Sequence, residues 1–201
     1  RGYLDMRDTE VESILDKINI LGGSFAQEFN RIHREGFGLD GSSGLDFFTP
    51  NDVTVQTNVN NKGAPIINIV NASPTTVPVD EFEITFTGIN TFTLQNLTTK
   101  LSEGSFSFSE GNTFNLKGGF AVTISGVPAL GDKVKFSTSH DAASTMSVSS
   151  DITSNTQKIA AGNTRSGDGG NAAQLAALQD GLVFNSVTLQ SGSGTYTFDE
   201  F

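Results

Sequence analysis

The sequence predicts an α+β protein in which a long coiled-coil-like N-terminal helix and short C-terminal helices flank an inserted antiparallel all-β domain. Three observations predict it. Near the start, apolar residues recur at steps of three and four. Through the middle they alternate at period two between glycine- and asparagine-bearing turns. After Asp151, strong helix formers return. The implied division is a helical stalk segment over 1–47, an inserted sandwich or barrel-like β domain over 48–150, and a return to helical stalk over 151–201.

The first helix is expected from about Leu4 to His33. Val11, Ile14, Leu15, Ile18, Leu21, Phe25, Phe29 and Ile32 fall on one stripe, and Val11, Ile18, Phe25 and Ile32 repeat at seven as a coiled-coil seam does. About 30 residues at 1.5 Å each make a rod roughly 45 Å long. Burying the seam residues Val11, Ile14, Ile18, Leu21, Phe25, Phe29 and Ile32 would stabilise by roughly 10–20 kcal/mol. The rest of the chain offers only two short helical candidates, near Ile152–Ala161 and Asn171–Asp180, to cover them. The expected cover is polypeptide beyond this chain or a neighbouring subunit, and the chain reads as cut from something longer. An assembly component is therefore favoured over a free-standing enzyme. Gly22 and Gly23 inside the seam should each cost about 1 kcal/mol relative to Ala. A kink, a close approach of another helix or a helix break would account for them.

From about Phe47 to Ser150 the period changes. Ile67 and Ile69; Phe82, Ile84 and Phe86; Phe92 and Leu94; Phe106 and Phe108; Phe114 and Leu116; Phe120, Val122 and Ile124; and Val134 and Phe136 alternate as half-buried strands do. Gly88–Asn90, Glu110–Asn112 and Lys117–Gly119 are the expected turns. Such short strands suit a compact antiparallel domain. Asp151 is a plausible helix N-cap. The polar loop Gly162–Gly170 then leads into a second helix rich in Ala, Leu and Gln, with Leu175 and Leu178 on one face. The chain ends after a strand-like Thr195–Phe198.

Composition excludes several functions. The 201 residues contain neither Cys nor Trp, which removes disulfides, thiolate chemistry and Cys-ligated zinc. A net charge of −10 with 12 scattered basic residues opposes nucleic acid and acidic membrane surfaces as partners. No stretch of about 18 apolar residues suggests a membrane span, and no cofactor motif is present.

At this point the residues carry a resemblance. Asn30, His33, Gly36, Leu39, Gly41, Gly44, Phe47 and Phe48, following Arg7–Asp8 and the seam, resemble the FlgK family of flagellar hook-associated proteins at the hook–filament junction. Ser125–Asp132 with Phe136 is similar to the hairpin that closes that family's β domain. Asn163 through Asn171, with Leu175, Leu178 and Gln179, resembles the asparagine-bearing loop and short helix that follow it. The resemblance covers 1–48 and 120–180. Over 50–118 it rests on character alone. It implies a central fragment without the terminal helices of full-length members, and a bacterial, extracellular, non-enzymatic protein exported through the flagellar secretion apparatus. It would join hook to filament as a ring of subunits. The implied partners are further copies of itself, the flagellar hook protein, a second junction protein or the filament side, and an export chaperone acting through a C-terminal part.

The remaining candidates read as structural. His33 and His140 are isolated and far apart, and His33 near a helix end is expected to cap carbonyls or bond the following glycine turn. Asp40 and Asp46 lack the ligand run of a calcium loop. Gly167–Asn171 fits neither a P-loop nor a dinucleotide fingerprint, and Asn171 reads as a helix N-cap. There is no Gly-x-Ser-x-Gly elbow. Asn71–Ser73 and Asn96–Thr98 match the glycosylation sequon, as chance allows in such a chain. The alternative function is a secreted acidic β module that binds a surface glycan or host ligand, which the lack of Trp and the presence of only two Tyr disfavour.

Overall fold

A computed structural model describes residues 11–72, 79–116, 118–164, 166–181 and 197. It contains antiparallel sheets and helices, and it divides into two units, one of residues 1–51 and 141–201 and the other of residues 52–140. The expected helical residues before Val11 lie outside the described residues, as does the C-terminal strand except Thr197.

The first unit is built on helix α1, Val11–Glu35. It runs unbroken through Gly22 and Gly23. A Cβ on Gly22 would sit 2.9 Å from the Cα of Ala143, in the short helix α2, Ala142–Thr145. Close approach of a second helix is thus the physical reason for a residue without a side chain. Asn19 marks the same crossing, its Oδ1 accepting the Ala143 N–H at 3.2 Å. His33 and Arg34 occupy the last turn of α1, where positive or polar groups suit the carbonyl end of the helix dipole.

Two expectations for the return segment change. The helix expected over 152–161 is two pieces, α3 at Ser150–Ser154 and a 3₁₀ turn at Thr156–Lys158, separated at Asn155. The N-cap of α3 is Ser149, and Asp151 stands in the first turn. Helix α4 spans Gly170–Ala177 and continues as a 3₁₀ turn over Leu178–Asp180. Its N-cap is Gly169, so Asn171 lies inside the helix, and its side chain turns inward instead of capping.

The second unit is a pair of antiparallel sheets. Strands β1 (Thr54–Thr57), β3 (Glu81–Gly88), β4 (Thr91–Asn96), β5 (Ser102–Ser107) and β8 (Lys133–Ser137) form one sheet in the order β1-β8-β3-β4-β5. Strands β2 (Ala64–Asn71), β6 (Thr113–Leu116) and β7 (Phe120–Val127) form the other, in the order β2-β7-β6. Alternation sends Phe82, Ile84, Phe86, Phe92, Leu94, Val134 and Phe136 from one sheet, and Ile69, Leu116, Phe120, Val122 and Ile124 from the other, into a single core. Phe120 meets Phe82 at 5.5 Å and Phe136 at 5.2 Å between ring centroids, edge to face in both pairs, which locks the sheets together. Asp132 ties the 62–63 and 129–132 turns. Its carboxylate accepts the backbone N–H groups of Lys62 (2.7 Å), Gly63 (3.0 Å) and Ala129 (2.8 Å), and these bonds hold its pKa below the usual carboxylate value.

Candidate assembly site

The apolar stripe of α1 is divided by what covers it. Toward the helix end, Ile32 is 6% exposed and packs with Leu178, joined by Leu21, Phe25, Phe29 and Leu175. Phe47 and Phe48 extend this cluster. Phe29 lies 4.9 Å from Phe47 and 5.3 Å from Phe48, and Phe25 lies 5.8 Å from Phe48. Toward the start, Val11, Ile14, Leu15 and Ile18 are exposed, Ile14 by 54%. Four large aliphatic side chains on one helical stripe thus face solvent, while the same stripe two turns later is packed.

Three buried polar side chains hold the packed half together. Asn30 clasps the backbone of Phe48. Its Nδ2 donates to the Phe48 carbonyl and its Oδ1 accepts the Phe48 N–H, both at 2.8 Å. His33 is fully buried. Its Nε2 accepts the Ala160 N–H at 2.9 Å, so the ring is neutral with its proton on Nδ1, which donates to the Leu45 carbonyl at 2.7 Å. Burial lowers the His33 pKa. The Leu45 carbonyl and Asp46 act the other way, and Arg34 adds to the lowering. Asn171, also fully buried, donates from Nδ2 to the Ala160 carbonyl at 2.7 Å. Ala160 is therefore gripped on both sides, by α1 through His33 and by α4 through Asn171.

The glycine-bearing turn after α1 fits into this grip. A Cβ on Gly36 would lie 2.2 Å from Asn171 Nδ2 and 2.9 Å from the Ala160 carbonyl. Phe37 and Gly162 exchange backbone hydrogen bonds at 2.8 and 3.0 Å. Arg34 pairs with Asp46 at 2.5 Å, and the Asp46 carbonyl accepts the Ser149 hydroxyl at 2.7 Å. Asp40 and Asp46, six positions apart, have separate structural partners. Asp40 accepts the Ser42 N–H at 2.9 Å, and the Ser42 hydroxyl and N–H together lower its pKa. Asp168 organises the next loop, accepting the N–H groups of Asn163, Thr164 and Gly170 at 2.7–2.9 Å. Those bonds depress its pKa strongly.

Among the described residues no three His, Asp or Glu side chains are grouped to hold a metal ion. No described helix is long and apolar enough to cross a membrane. His140 lines a shallow groove with Glu81 and Lys135 in the other unit. A second groove of about 380 Å³ is lined by Gln56, Asn58, Asn60, Glu83, Lys133 and Lys135 among others, with no aromatic ring on its walls. The roles of Asn30 and Asn171 are not visible in sequence. The available signal is a short amide where a helix faces its core.

Comparison with known proteins agrees with this arrangement. Residues 1–48 match the family model described as the flagellar hook-associated protein FlgK helical domain. Flagellar hook-associated protein 1 of Escherichia coli (strain K12) is 28% identical over 189 residues, which is 94% of this chain and 33% of the relative. The chain thus spans about a third of the length of the curated relative it matches. The flagellar hook junction protein FlgK from Burkholderia pseudomallei shares the fold at a TM-score of 0.56 and 23% identity, over 73% of this chain and 26% of that one. The chain is thus similar over residues 1–48 to the FlgK helical domain and over nearly its whole length to part of a flagellar hook-associated protein, and it shares a fold with part of a flagellar hook junction protein.

Proposed function

We propose that this chain is a structural segment of a hook-associated protein that joins the flagellar hook to the filament as a ring of subunits, without catalysis. The observation that carries the reading is the divided stripe of α1. Its packed half fixes the helix on Leu175 and Leu178, and its open half presents Val11, Ile14 and Ile18 for a coiled-coil partner helix. Seam residues Leu21, Phe25, Phe29 and Ile32 continue the same line. The domain organisation proposed with it is a helical stalk built from both ends of the chain with the β domain inserted between them, the junctions falling at 51/52 and 140/141. In that role the protein works outside the cell in the flagellum, having been exported through the flagellar apparatus. Its partners are other copies of itself, the hook protein, and a second junction protein or the filament side. An export chaperone would bind a C-terminal part of the full protein.

Deletion of the parent gene tests the reading. Electron microscopy should show hooks without filaments, and flagellin should appear in the medium. Full-length filaments on normal hooks would overturn the junction role and favour a ligand-binding β module instead.

A further inference from the structure

The packed half of the α1 stripe is covered by α4 and the turn that follows it, and α4 is moored to one short run of backbone. Leu178 packs on Ile32, with Leu175 beside them. At the start of α4, Asn171 donates to the Ala160 carbonyl at 2.7 Å, and the Ala172 N–H donates to the Ala161 carbonyl at 3.0 Å. That run is tied to α1 and its turn at two points. One is the backbone exchange between Phe37 and Gly162, which involves no titratable group. The other is the Ala160 N–H on His33 Nε2. Both Ala160 and His33 are buried, so a proton on Nε2 would set N–H against N–H where neither donor reaches water.

We propose that His33 is a proton-released latch that decides how much of the α1 stripe is open to a partner helix. With the ring neutral, α4 is seated and the open stripe is the first half, Val11 to Ile18. With the ring protonated, residues 155–161 pivot about the Phe37–Gly162 bridge, Asn171 loses its hold, and α4 lifts. The stripe is then uncovered as far as Ile32. The charges around the ring leave the switch to His33 itself. Burial and Arg34 keep the imidazole neutral against the pull of Asp46, which is paired with Arg34. From the return segment, Lys158 is paired with Asp151 at 3.0 Å. Asp40 and Asp168 are held ionised by their hydrogen bonds, so neither changes charge in the range where an imidazole does. The use of the latch in assembly rests on the seam reading of α1, while the latch itself is a property of this chain alone.

Amide hydrogen exchange of the whole chain, resolved by residue and corrected for the intrinsic effect of pH, tests it. From about pH 7 to about pH 5, protection of the Ala160 and Ala172 amides should fall together. The fall should approach about tenfold per pH unit once the ring titrates, as one proton requires. The Ala26 amide, midway along α1, should keep its protection. So should that of Phe86 in the β unit, whose N–H donates to the Asp132 carbonyl. His33→Gln offers an acceptor to Ala160 but takes up no proton, and should remove the pH dependence. Binding of Nile red, an uncharged apolar dye, should rise over the same range in the native chain and not in the variant. Constant protection at Ala160, or equal loss at Ala26, would overturn the latch, the second because the helical unit would then be unfolding as one body. That comparison is made within the native chain and decides even if the variant does not fold. Loss that persists in a folded His33→Gln would overturn His33 as the cause. A failed latch beside hooks without filaments leaves the junction role standing. A working latch beside normal filaments removes that role and leaves the latch.

Discussion

His33 Nε2 accepts the backbone N–H of Ala160 at 2.9 Å across 127 positions of sequence. That bond joins the end of α1 to the return segment, and it exists only while the imidazole is neutral, because a protonated ring would present N–H against N–H. The sign of the pH effect follows. The folded-state pKa lies below the unfolded value of 6.5, so below that value the unfolded chain binds more protons. The contribution of His33 is complete above pH 6.5 and is lost as pH falls from there through the lowered folded value. One proton sets a ceiling of about 1.4 kcal/mol per pH unit on this slope. Urea unfolding of the helical unit between pH 7 and pH 5 should show it, and His33→Gln should flatten it. An unchanged slope in the variant would mean that another group carries the acid sensitivity.

Gly36 is a steric consequence of the same grip. Gly36→Ala puts a methyl 2.2 Å from the Asn171 amide, which is fully buried and cannot swing aside without releasing the Ala160 carbonyl. The expected cost is about 2–3 kcal/mol, from overpacking together with a lost buried hydrogen bond. Thermal denaturation would detect the lower midpoint. Loss of the same stability in Asn171→Ala, with little further loss in the double variant, would assign it to this one contact.

How far the sequence revealed this depends on the residue. The strand alternation Phe82–Phe86 and Phe120–Ile124 identified an antiparallel β core, with sandwich and barrel-like arrangements both open, because period two and one-sided burial are the same fact in a strand. The strand Thr54–Thr57 escaped notice because Thr and Gln carry little apolar signal, and its pairing with β8 comes from backbone register. Gly22 suggested helix crossing as one of three explanations, and Ala143 supplies the partner that sequence could not name. Asn171 was misread for a definite reason. An Asn just after a glycine-rich loop has the local signature of an N-cap, yet its acceptor, the Ala160 carbonyl, lies in a segment that only tertiary structure brings near. The division of the α1 stripe into a packed and an open half was not legible, since the cover for Ile32 comes from Leu178, far along the chain.

The core of the β unit should behave as one cooperative block. Phe86 is fully buried, with the rings of Phe92 and Phe108 at 6.3 and 6.1 Å. Phe86→Ala should cost about 3–5 kcal/mol, read as a shift in the denaturant midpoint. A cost below about 1 kcal/mol would show that the core collapses around the deletion.

The open half of the α1 stripe gives the clearest separation of folding from assembly. Phe25 is unsuited to this purpose, since its ring packs on Phe29 and Phe48 within the chain, and Phe25→Asp would damage the fold and the seam together. Ile14 and Ile18 are exposed on the same stripe. Ile14→Asp and Ile18→Asp should change the stability of the isolated chain by no more than about 0.5 kcal/mol, as surface substitutions do. A carboxylate buried at a helix–helix seam is costly, so in the full-length protein either change should cut incorporation into the flagellum severely. Blotting of purified hook–filament complexes reads that loss, with circular dichroism of the isolated chain as the folding control. Normal incorporation of the Ile14→Asp, Ile18→Asp double variant would show that no partner helix covers this stripe and would sink the seam as an assembly device.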